Sequence, residues 1–280
     1  MSTTHEDSTT GPATGTATAA AAVDRAKAEG RAALVAYLPV GYPDVRTSIE
    51  AAKAAVDGGA DVVELGLPYS DPTMDGVTIQ RAVDAALAGG TRPADVLRAV
   101  EGVAATGAAV LVMTYWPPVD RYGVDRFARD LASAGGAGLI TPDLIPDEAG
   151  AWIGASDAQD LERVFLVAPS STDARLALTA ERSRGFVYAA SLMGITGARA
   201  TVGAGARQLV ERTRAAGAER VCVGLGVSTP EQATEVAGYA DGVIVGSAFV
   251  SRLLDTDDTA SGVRAVGRLA AELSAGIRSA

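Results

Sequence analysis

From Leu34 onward, short apolar and β-branched runs alternate with stretches in which apolar residues return every three or four positions. That rhythm predicts strands followed by helices. Strand-like runs lie at 33–38, 61–67, 109–114, 137–141, 163–168, 186–190, 220–225 and 242–246. Helical patterns lie between them at 47–57, 77–88 with a further stretch at 93–105, then 124–134, 147–155, 173–183, 205–216, 230–238 and 259–275. Eight strand–helix units in about 250 residues match the count for a single α/β domain closed as a (β/α)8 TIM barrel, whose active-site loops follow the strand C-termini. A doubly wound sheet competes less well, because its Gly-rich first turn is replaced here by PVGYPD.

The pattern is absent from residues 1–22, a Thr/Ala-rich stretch with two acids and neither lysine nor arginine. A secretory or organellar leader needs positive charge, so a disordered tail is expected over 1–22 and the barrel over 23–280. No run of 18 apolar residues follows, so no spanning helix is expected. The net charge of −10 disfavours nucleic acid and anionic membrane as partners. A lone cysteine, Cys222, allows neither an internal disulfide nor a thiolate cluster, which suits a cytoplasmic location. The single histidine is His5, in the tail, and the two lysines, Lys27 and Lys53, do not end strand-like runs. Histidine chemistry, a usual metal site and imine catalysis are therefore disfavoured, and proton transfer is left to carboxylates or tyrosines.

Glu64 interrupts the apolar second strand, where period-two alternation sets it with Val62 and Gly66 against Val63, Leu65 and Leu67. Desolvation there would raise its pKa toward neutrality, as a general acid/base requires, unless a buried arginine pairs with it. The loop PYSDPTMDG, residues 68–76, adds two aspartates. Asp71 reads as a local Asx-turn or cap. Asp75, before Gly76, is either a turn residue or the second carboxylate of a pair that divides proton transfer from charge stabilisation. Gly224 to Val227 and Gly246–Ser247–Ala248, after strands seven and eight, suggest a phosphate site of backbone amides, or merely tight turns. The Gly/Ala-rich residues 191–207 read as a lid or a flexible surface loop. Cys222, Trp116 and Trp152 read as packing residues.

The string ELGLPYSDPTMDGVTIQ at 64–80 resembles the signature of the tryptophan synthase α chain, the indole-3-glycerol-phosphate lyase subunit. The resemblance runs from about residue 33 to the C-terminal part through YLPVGYP (37–43), VMTYWPPVDRYG (112–123), TPDLIPDE (141–148), GITGAR (194–199), VGLGVSTPEQ (223–232) and DGVIVGSAFV (241–250). It implies retro-aldol cleavage of indole-3-glycerol phosphate to indole and glyceraldehyde 3-phosphate in L-tryptophan biosynthesis, with neither cofactor nor metal. By the same matching Glu64 becomes the general acid/base and Asp75 the carboxylate that holds the indole N–H. Tyr37 would lie beside the indole and Tyr188 near the glycerol chain. The phosphate would rest on Gly197, Gly226, Gly246 and Ser247, with Thr196 in the lid.

The implied partner is a pyridoxal-phosphate-dependent β chain, in an α2β2 assembly. Two departures from the family pattern stand out: Val77 where proline is frequent, expected to loosen the Asp75 loop, and Pro117 where asparagine is common, expected to affect partner coupling more than Glu64 chemistry. The sequence is also compatible with a stand-alone lyase that releases free indole, another phosphate-binding barrel such as a sugar-phosphate isomerase, and a catalytically silent activator of a β chain.

Overall fold

The structure, a computed structural model, describes residues 16–190, 202–224, 226–256 and 258–280. The strands are β1 (Ala33–Pro39), β2 (Val62–Gly66), β3 (Ala109–Met113), β4 (Gly138–Ile140), β5 (Glu162–Val164), β6 (Leu166–Val167), β7 (Val187–Ala190), β8 (Val221–Gly224) and β9 (Gly242–Val245). All ladder pairings between them are parallel, in the order β5-β4-β3-β2-β1-β9-β8-β7-β6. The two ends of that order are consecutive in the chain, separated only by Phe165. They are halves of one strand, and the eight-stranded barrel closes through it, as the strand count predicts.

Helices α1 (Ala19–Ala28), α2 (Val45–Asp57), α3 (Val77–Ala88), α4 (Pro93–Ala104), α5 (Trp116–Tyr122), α6 (Val124–Ser133), α7 (Gly150–Ala158), α8 (Asp173–Arg182), α9 (Val202–Ala215), α10 (Pro230–Ala237), α11 (Ser247–Leu254) and α12 (Thr259–Arg278) complete the described elements. Their starts are chemically marked. Asp44 accepts from the Thr47 amide at α2, and Thr229 and Gln232 form a reciprocal capping box at α10. Successive strand residues face opposite sides, so two cores form. Leu34, Val63, Leu65, Val110 and Val243 pack outward against the helices, whereas Val35, Val62, Leu111, Ile140, Tyr188 and Ile244 fill the barrel.

Two expectations need correction. The tail assigned to 1–22 ends too late: Thr18 caps α1, and Ala19, Ala22, Val23 and Ala26 are buried in the interior cluster with Ala33 and Ala109 at the strand N-termini. An alanine-rich helix thus plugs the barrel floor. Its N-terminus is held by Glu162, which accepts the Ala19 and Ala20 amides at 2.8 Å each, satisfying donors that no helix can satisfy itself. Residues 1–15 lie outside the described residues. The loop or lid assigned to 191–207 also ends too late, because α9 begins at Val202 and Arg207 stacks 4.7 Å from the Tyr239 ring centroid. Its remainder, including Thr196, Gly197 and Arg199, lies outside the described residues.

The Glu162 cap is testable by thermal denaturation. Glu162→Ala leaves two amides without their acceptor, at a cost of about 1–3 kcal/mol, and should lower Tm by several degrees. Deleting residues 1–22, which removes Thr18, Ala19 and Ala22, should lower it as well; an unchanged Tm for both variants would show that α1 contributes nothing to the closed barrel.

Candidate active site

Glu64 sits mid-strand in β2, in register with Tyr37 of β1 on one side and Leu111 of β3 on the other. It shares the inward parity of Val62 and is fully buried. Among the described residues neither carboxyl oxygen has a hydrogen-bond partner, and no arginine pairs with it. Loss of water raises its pKa from the ordinary 4.5 to about 8. At neutral pH the group is a carboxylic acid, able to give a proton.

Tyr37 and Tyr188 project into the same interior, and glycine makes the room. A Cβ at Gly66 would collide with the Tyr37 hydroxyl, and one at Gly224 with the Tyr188 hydroxyl. Both phenols are buried, and desolvation, reinforced by nearby carboxylates including Glu64, holds them well above the ordinary tyrosine range. They are neutral walls rather than bases.

Asp75 comes from the loop between β2 and α3. Burial raises its pKa, and a hydrogen bond from the Tyr115 hydroxyl pulls in the opposite direction. Together with Tyr37, Leu67, Tyr69, Met113 and Tyr115 it lines a narrow cavity at the C-terminal mouth of the barrel. Gln80 of α3 donates from Nε2 to the Asp75 carbonyl at 2.7 Å and from its amide to the Gly76 carbonyl at 3.0 Å. These bonds tie the loop to the helix although Val77, 74% exposed, stands at the first helical position. Asp71 is exposed and bonded by its neighbour Ser70, in keeping with a local role.

Gly226 and Gly246 lie at this same end, after β8 and β9. Gly226 has φ of +90°, which a side chain would strain. Gly246 is the N-cap of α11 with no side-chain cap bond, and Ser247 begins the helix, whose first amides have no acceptor within it. Leu225 lies outside the described residues. Among the described residues no group of three side chains could hold a metal, and no helix is long and apolar enough to cross a membrane. A larger cleft, about 430 Å3, opens at the opposite face. Its charged groups are already committed: Glu162 to α1, Arg220 to Asp24 and Glu219, Arg184 to Asp160.

Two features escaped the sequence pattern. Pro117 lies in the first turn of α5, where an N–H has no intrahelical acceptor, so a Trp-Pro-Pro run begins a helix instead of breaking one. Tyr115, which caps that helix, reaches across the mouth to the Asp75 loop, a contact between residues 40 apart in sequence.

Residues 23–278 match the family described as tryptophan synthase alpha chain. The tryptophan synthase alpha chain of Thermobifida fusca is 63% identical over 258 residues, covering 91% of this chain and 96% of that one. That of Streptomyces coelicolor is 62% identical over 254 residues, covering 90% and 94%. A solved structure of Mycobacterium tuberculosis tryptophan synthase superposes with a TM-score of 0.86 at 55% identity, over 93% of this chain and 98% of that one. The alpha subunit from Legionella pneumophila keeps a TM-score of 0.85 at 29% identity, over 94% and 98%. On barrel, family match and relatives together, the chain belongs to the tryptophan synthase alpha chain family.

Proposed function

We propose that this protein is a carbon–carbon lyase that cleaves indole-3-glycerol phosphate to indole and glyceraldehyde 3-phosphate, with Glu64 as general acid/base. The observation that carries the reading is the Glu64 carboxyl, fully buried in the barrel interior and without a partner among the described residues. A structural glutamate in such a place would be paired; an unpaired one costs stability and is explained by chemistry.

The reaction balances on this chain's own groups. Protonated Glu64 gives its proton to indole C3, which turns the ring into an indolenine cation. Asp75 accepts the ring N–H and offsets the positive charge. Glu64, now a carboxylate, takes the hydroxyl proton from the glycerol carbon attached to C3. That carbon becomes the aldehyde, the C–C bond electrons return to the ring, and Glu64 regains its proton. Tyr37 would flank the indole and Tyr188 the glycerol chain, while Gly226, Gly246 and Ser247, with Gly197 beyond the described residues, would bind phosphate through backbone amides and the helix dipole. No cofactor or metal enters this scheme. The indole would pass to a pyridoxal-phosphate-dependent β chain in an α2β2 assembly in the cytoplasm.

Glu64→Gln should abolish turnover while retaining binding of glycerol 3-phosphate measured by calorimetry; more than about a tenth of the wild-type rate would sink the assignment. Asp75→Asn should lower kcat by roughly a hundredfold, the cost of one charge-stabilising contact. A rise in KM alone would make Asp75 a binding or turn residue.

The raised pKa of Glu64 also fixes a sign. Unfolding exposes a carboxyl that ionises near 4.5, whereas the folded one ionises near 8. The folded state therefore loses stability as pH rises across that window. Glu64→Gln should raise Tm more at pH 8.5 than at pH 4.5, and equal shifts at the two pH values would contradict a desolvated acid.

A further inference from the structure

The Tyr115 hydroxyl has a hydrogen-bond arrangement that leaves it one role. It accepts from the Thr73 amide at 3.0 Å and the Met74 amide at 2.9 Å. Those two bonds occupy both of its acceptor sites, so its single proton must point outward. The acceptor it meets is Oδ1 of Asp75, at 3.4 Å. The rest of the residue is fixed from behind. Its side chain is buried, its ring packs against Tyr69 at 5.2 Å between centroids, and the next amide, that of Trp116, donates to both oxygens of Asp143 at 2.9 and 3.1 Å.

We propose that Tyr115 is a positioning residue for the lyase reaction: compelled to donate by the Thr73 and Met74 amides, it keeps the Asp75 carboxyl ionised and aimed at the site of the indole N–H. The proposal rests on the reading of Asp75 given above. A carboxylate can accept the ring N–H on one oxygen while Tyr115 donates to the other; a protonated Asp75 would lose the charge that the indolenine requires. The separation of 3.4 Å is long for an O–H···O bond, and catalytic contacts of this kind tighten in the substrate complex. Among the described residues the titratable groups around Asp75 are Tyr37 on β1, Glu64 on β2, Tyr69 in the same loop, Tyr115 after β3 and Tyr188 on β7. None of them is a cation, so a neutral donor is what this cluster supplies against the burial that pushes the Asp75 pKa up.

The test is the pH profile of kcat/KM for the full chain, with Tyr115→Phe and Asp75→Asn measured side by side. Tyr115→Phe should lower kcat about tenfold with a smaller change in KM, and should move the acidic limb upward by roughly half a unit or more as Asp75 loses its donor. Site-specific 3-fluorotyrosine at position 115 keeps the ring and sharpens the donor; it should move the limb the other way, and it serves if the phenylalanine variant does not fold. A limb that stays in place in either folded variant, with Asp75→Asn inactive, overturns the role of Tyr115 alone. Full activity in Asp75→Asn overturns the reading of Asp75 and the proposal together.

Discussion

An ionisable side chain that leaves water without finding a partner must either distort its surroundings or change its charge, and Glu64, which has no partner among the described residues, changes its charge. The rest of the site depends on that. A carboxyl held neutral at physiological pH needs a dry interior, and the closed barrel provides one by sealing its side wall through Phe165 and its floor with α1. The cost in stability is borne by two cores of aliphatic packing, one inside the strands and one between strands and helices.

Space inside the barrel is distributed by glycine. Gly66 and Gly224 give their side-chain volume to the hydroxyls of Tyr37 and Tyr188, and Gly242 does the same for the Cys222 sulfur. Large aromatic groups are thus placed in an interior that could not hold them at every position. The two carboxyl groups are treated differently in the same environment. Burial raises the pKa of both, but Asp75 has a hydrogen-bond donor that pulls against the rise, and Glu64 has none among the described residues.

Much of this was legible in the sequence because it is local. The α3 boundaries at residues 77 and 88 follow from periodicity and punctuation, and the eight strands from apolar runs between turn residues. Glu64 stood out because a charge in an apolar strand breaks a pattern. What was missed is non-local. Helix α1 is poor in large apolar residues and merges with the Ala/Thr tail; its burial depends on Glu162, far along the chain. Helix α5 was hidden by two prolines that read as breakers until their place in the first turn is seen. The three bonds of Tyr115 join residues about 40 apart, and no window of sequence contains them.

The distance between α1 and its cap has a consequence for synthesis. Ala19 and Glu162 are 143 residues apart, so at 5–20 residues per second the helix waits roughly 7–30 s on the ribosome before its acceptor is made. During that interval the alanine face can already meet Ala33 and Ala109 of the early strands, but the Ala19 and Ala20 amides have no carboxylate to accept them until the fifth strand exists. The cap that fixes the first helix is thus supplied by one of the later strands, and the floor of the barrel is completed by a contact that spans more than half of the chain.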